Sequence, residues 1–195
     1  MAKRAIKQSE YKQLLNYISN DTMTRPQTLD KYKKIFTFLY YTGARINEAC
    51  KLKGENIHDI ITTRKTKVLT SKTARFKGQG FRTVFFSKEA AANIEKVFQD
   101  SLVHLDGFCI RAWNDKTKEV NTTSLTTSIN LYLQKALNSK DYGSHSFRRG
   151  IITEMIIDES VNPEIVQKFI GHRNYATTSK YVEATDIDIQ NSLVR

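Results

Sequence analysis

Cysteine is scarce in this 195-residue sequence: only Cys50 and Cys109 occur, far apart and in no CxxC or His-paired spacing. Neither a disulfide framework nor a zinc site is signalled, and a reducing compartment fits best. Proline (2) and glycine (8) are also sparse, which sets aside fibrous and Pro/Gly-rich disordered chains. Long apolar runs are missing too. The most apolar stretch, residues 35–41, is much too short to cross a bilayer, and residues 1–7 are basic but lack an apolar signal region. These absences predict a soluble cytoplasmic protein with no membrane partner. No internal repeat or low-complexity segment is present. Acid is the remaining shortage: Asp plus Glu number 20 against 31 Lys plus Arg, a formal charge of +11, which favours a polyanionic partner.

What is present is globular. Apolar residues make up 39% and charged residues 26%, and the length suits one domain with a real core. Residues 9–20 place Leu14, Leu15 and Ile18 at helical spacing behind a Ser9 cap. From Thr28, the positions Tyr32, Ile35, Phe36, Leu39 and Tyr40 form the apolar face of a longer, central helix that Gly43 is placed to end. A further helical turn carries Arg45 and Glu48, with Ile46, Ala49, Cys50 and Leu52 facing inward. Residues 56–62, 66–73 and 81–87 are short and β-branched or aromatic, and predict a small antiparallel sheet with a cationic hairpin tip between the last two strands. Ser87 caps a following helix, and from Thr122 the pattern is helical to the end. One helix starts near His145 and buries Phe147, Ile151, Ile152 and Met155. Another starts at Asn162-Pro163-Glu164 and stops at Gly171, and a short one over residues 176–184 bears Tyr181.

His145 and Arg148 are three apart on one helix, so both can face one point. Alone, that pair describes many solvated helix faces, and a turn histidine such as His172 or a half-buried tyrosine such as Tyr181 is commonplace. The combination carries the weight. TGARINEACKL, then SKT before a cationic hairpin, then HSFRRG, then GHRNYATTSKY resembles the tyrosine recombinase, or phage integrase, family, with four motifs in the family's order over nearly the whole chain.

The resemblance implies the tyrosine recombinase catalytic-domain fold: α+β, mainly helical, with a small antiparallel sheet. One such domain is expected over residues 1–195; most members of the family carry a further helical DNA-binding domain ahead of it, whereas here only about 8 residues precede the first helix and no separate N-terminal core-binding domain is evident, as in a minimal enzyme or a catalytic fragment. It also implies site-specific recombination, in which DNA strands are cut and rejoined through a covalent 3′-phosphotyrosyl intermediate without metal, ATP or other cofactor. By motif, Arg45 corresponds to the arginine of the TGxRxxE box, His145 and Arg148 to the HxxR box, His172 to the GH box, and Tyr181 to the nucleophile. Lys72 corresponds to the hairpin lysine; Lys77, in KGQGFRTVFF, fits the KGxxxR form of some members, but SKT lies closer to the expected distance after Arg45. Gly150 follows the HxxR box where a larger residue is common.

The chemistry of these residue types agrees. Two guanidiniums can grip the phosphate oxygens that gain charge on attack. His172 can donate a further hydrogen bond, and His145 can help deprotonate or orient the Tyr181 hydroxyl. A lysine beside arginines can give up the proton that the departing 5′-oxygen needs. Arg75, Lys77, Arg82, Arg149 and Arg173 are the expected DNA-contacting face. The implied partners are double-stranded DNA, sister protomers in a homotetramer on paired sites, and accessory DNA-bending proteins, with the chain at the nucleoid or in another DNA-containing compartment. Two other readings share the composition: a type IB topoisomerase-like relaxing enzyme, and a sequence-specific DNA-binding protein that has lost the chemistry.

Overall fold

The computed structural model describes residues 3–69, 80–111, 120–158 and 161–172. Helix α1, Gln8–Asn20, starts one residue ahead of Ser9, and its cap is made by Glu10, whose carboxylate accepts the Lys7 N–H at 3.0 Å. Helix α2, Pro26–Thr42, begins on a proline, whose missing N–H costs nothing at a first helical position. It ends where Gly43 turns left-handed, at φ 57°. This helix is the centre of the molecule: Ile35, Phe36, Phe38 and Leu39 are wholly buried, and α2 packs against α1 and against two later helices, α5 (Lys88–Phe98) and α7 (His145–Thr153). The Phe36 and Phe147 rings stack with centroids 5.6 Å apart, which fixes α7 against α2.

After the short helix α3, Ile46–Ala49, comes the main departure from expectation. Residues 56–62, expected as a strand, lie in helix α4, Gly54–Thr63. A period of two would put the charged Asp59 on the same face as Ile57 and Ile61, whereas the helical period buries Ile57 and Ile60 and leaves His58 and Asp59 outside. The Asn56 side chain completes the start by accepting the Lys53 N–H at 2.9 Å.

Strands β1, Lys65–Leu69, and β2, Phe81–Phe85, pair antiparallel with Lys65 opposite Phe85 and Leu69 opposite Phe81. They form a two-stranded sheet among the described residues. Ser87 caps α5 by accepting the Ala90 N–H, and Asn121 caps α6, Thr122–Ala136. Helix α7 runs on into a π-helical turn, Glu154–Asp158. Helix α8, Pro163–Ile170, is capped by Asn162 and ends at Gly171, again left-handed at φ 72°. Mainly helical structure with a small antiparallel sheet is the architecture expected. Cys50 and Cys109 are buried free thiols. Among the described residues, no helix is long and apolar enough to cross a membrane.

Candidate active site

Two helix ends make the site. Helices α2 and α8 each stop on a left-handed glycine, and each then delivers a functional side chain within two residues: Arg45 after Gly43, and His172 after Gly171. Helix ends leave their last carbonyls without intrahelical donors and carry the negative end of the macrodipole. Both ends are met by arginine. Arg148, on α7 and 5% exposed, donates from Nη1 to the Gly43 carbonyl at 2.9 Å and from Nη2 to the Ile170 carbonyl at 2.8 Å. Its Nε–H donates to Nε2 of His172 at 3.3 Å. The turn that holds His172 is closed on itself, since the Gly171 and His172 N–H groups both donate to the Gln167 carbonyl and the Gln167 amide donates back to the His172 carbonyl at 3.0 Å.

The electrostatics of His172 follow from this placement. Burial, and then the charges of Arg148, Arg45 and Arg82, push its pKa down to about 4. The ring is therefore neutral at physiological pH. Because Nε2 accepts from Arg148, the neutral ring carries its proton on Nδ1. Arg45 is a quarter exposed, its Nη1 paired at 2.9 Å with Oε1 of Glu48, whose side chain is fully buried. The other Glu48 oxygen accepts the Arg45 backbone N–H at 3.1 Å, so one carboxylate fixes both the arginine's backbone and its head group. His145 stands exposed in the first turn of α7, one turn ahead of Arg148.

The structure thus brings Arg45, Arg148 and His172 together and sets His145 on the same helix as Arg148. Lys72, Arg75, Lys77, Arg173 and Tyr181 lie outside the described residues. Arg149 is partly buried on α7. Arg82 corrects the expectation of a DNA-facing residue. It is 8% exposed, donating to the carbonyls of Phe169 and, at 3.2 Å, Thr42, with Glu48 at 3.8 Å. Burial lowers its pKa to about 10, which still leaves it charged at neutral pH. The signal was in the strand period. Val84 points inward, so position 82, two residues away, must point inward as well. Glu48 was also missed as a site residue, although it is the glutamate of the TGxRxxE box, three residues after the Arg45 it pairs with.

Comparison with known proteins places the chain in a family. The model of the phage integrase family matches residues 4–187. The chain is similar to a tyrosine recombinase of Thermosipho africanus, 26% identical over 156 residues, covering 80% of this chain and 50% of that protein. It is also similar to the tyrosine recombinase XerA of Thermococcus kodakarensis, 25% identical over 182 residues, covering 93% of this chain and 58% of that one. The chain thus spans about half the length of the curated relatives it matches. Among solved structures it resembles the XerH site-specific recombinase bound to its palindromic difH substrate, with a TM-score of 0.72 at 19% identity, covering 98% of this chain and 53% of that one. At that identity the likeness is one of fold.

Proposed function

Because the chain belongs to the phage integrase family, we propose that it is the catalytic domain of a tyrosine recombinase, which cuts and rejoins double-stranded DNA at specific sites without metal or ATP. The observation that carries this reading is the convergence of Arg45, Arg148 and His172 at two adjoining helix ends. That holds two fixed guanidinium charges and an imidazole at one place, an electrostatic setting suited to a phosphodiester.

In the proposed reaction the Tyr181 hydroxyl oxygen attacks phosphorus while His145 orients it or takes up its proton. The bond from phosphorus to the 5′-oxygen breaks, and the departing oxygen takes a proton from Lys72, or from Lys77 if that lysine occupies the role. The product is a 3′-phosphotyrosyl linkage, which a 5′-hydroxyl from a partner strand reverses. Arg45 and Arg148 neutralise the charge that builds on the non-bridging oxygens, and His172 donates one hydrogen bond more. The reaction conserves phosphodiester energy, so no nucleotide is required, and the guanidiniums supply the charge that a metal ion would otherwise bring. Assembly as a homotetramer on paired sites, with DNA-bending proteins assisting at the nucleoid, completes the reading. The outcome would be integration, excision or inversion.

The experiment is a suicide duplex bearing a candidate site, resolved on a denaturing gel. The wild-type chain should give a covalent adduct that EDTA leaves unchanged. Tyr181→Phe should give none while binding the same duplex, since it removes one oxygen and almost no surface. An adduct in that variant, or activity restored by a divalent ion after chelation, would overturn the assignment.

A further inference from the structure

We propose that Arg82 is a positioning residue for strand cleavage: by spanning the last carbonyls of α2 and α8, it holds the turn that presents Arg45 and the turn that presents His172 in one frame. This rests on the cleavage reading above. The geometry is a double rung. Arg148 bridges Gly43 and Ile170, and Arg82 bridges the carbonyl one residue earlier on each helix, Thr42 and Phe169. Each carbonyl that Arg82 holds lies three residues before a functional side chain, Thr42 before Arg45 and Phe169 before His172. The left-handed glycine that turns the chain towards each group lies between them.

Arg82 reaches the Arg45 turn by a second route. Its Nη2 lies 3.8 Å from the buried Glu48 carboxylate, the same group that fixes the Arg45 guanidinium and backbone N–H. The His172 turn is shaped around the arginine as well: a Cβ at position 171 would stand 2.9 Å from Cδ of Arg82, so Gly171 serves both the turn and the passage of this side chain. Arg82 is also the second residue of β2, the strand that leaves the segment carrying Lys72 and Lys77. One side chain therefore ties that strand to both helix ends. Its partners are protein carbonyls and a protein carboxylate, and it acts through Arg45 and His172.

Arg82→Lys and Arg82→Met in the full chain test this. Lysine keeps the charge opposite Glu48, but a single ammonium cannot reproduce a planar fork that serves two carbonyls at once. Both variants should bind DNA with the wild-type salt slope and form adduct more slowly by about 100-fold, the scale of a small misplacement of catalytic groups. The His172 ring should titrate higher than about 4 in Arg82→Met, where one depressing cation is gone. Wild-type cleavage by Arg82→Lys would overturn the clamp, as would a lowered melting temperature with unchanged cleavage per folded molecule. A salt slope shallower by about one would return Arg82 to the DNA face. If Arg82→Met does not fold, Arg82→Lys decides. If the wild-type chain itself forms no adduct, the cleavage reading fails separately, and an unmoved His172 titration in Arg82→Met would then reject the clamp alone.

Discussion

At the scale of single residues, the charge state of His172 governs how the site responds to acid. The folded chain holds this ring neutral down to about pH 4, whereas in the unfolded chain it protonates near its ordinary value of about 6.5. Between those two values the unfolded state binds the extra proton, so stability rises with pH across that window. His172 therefore contributes fully above about pH 6.5, and its contribution is lost as the pH falls towards about 4. Chemical denaturation at a series of pH values should show this loss, and His172→Asn should flatten that limb while leaving the carboxylate-driven part. An equally steep limb in the variant would place the ordinary charge state back on His172. Arg45, His145, Arg148 and His172 were legible from motif spacing because each sits at a fixed offset from a helix start or stop. Arg82 was not, since its partners Phe169 and Glu48 are 87 and 34 residues away along the chain, whereas Glu48 stood within reach in the TGxRxxE box, three residues after the Arg45 it holds. A run of basic residues near a hairpin reads as surface until the neighbouring Val84 is used to set the face.

At the scale of elements, the two helix stops carry more of the function than the helices do. Gly43 has φ 57°, and a Cβ there would stand 2.7 Å from Cδ1 of Ile170 and 2.8 Å from Cγ2 of Ile151. Gly43→Ala should thus cost about 2–4 kcal/mol from left-handed strain and overpacking combined. It should also slow adduct formation, because the Gly43 carbonyl is a partner of Arg148. Urea unfolding monitored by circular dichroism, beside the adduct assay, checks both; a neutral variant would mean that the α2 stop is not under this constraint. Gly150, unusual after its motif, has a different reason to be small. A Cβ there would collide with the backbone carbonyl of Ile6, where the chain entering α1 is bonded across α7 through the Ile6 N–H and the Ser146 carbonyl. The long helices α1, α2 and α6 could be read from the sequence because their apolar period runs for several turns. Helix α4 could not: its ten residues are rich in Ile and Thr, and β-propensity outweighed a period visible only in Ile57 and Ile60. What decided it was packing on α5 and β1, which composition does not reveal.

At the scale of the whole molecule, a formal charge of +11 sets the terms on which the chain meets a polyanion. Each phosphate contact releases counterions and adds about 0.9 to the slope of log affinity against log salt. The basic face expected from the sequence had five members, Arg75, Lys77, Arg82, Arg149 and Arg173. Burial of Arg82 on protein carbonyls removes one of them and leaves four. About four contacts give a slope near −3.6, so affinity for a non-specific duplex should fall by about two decades between roughly 50 and 200 mM salt. The structure adds a sharper requirement to that figure. Neutralising any of the four should make the slope shallower by about one, whereas Arg82→Lys should leave it unchanged while slowing cleavage. Binding and chemistry would then be separable, with Arg82 held on protein carbonyls. Since the chain spans about half the length of its relatives, the titration reports the affinity of this segment. Tight, salt-insensitive binding to one sequence would mean that these residues contain a recognition surface built on base contacts, and that the phosphate-dominated account of the basic face is wrong.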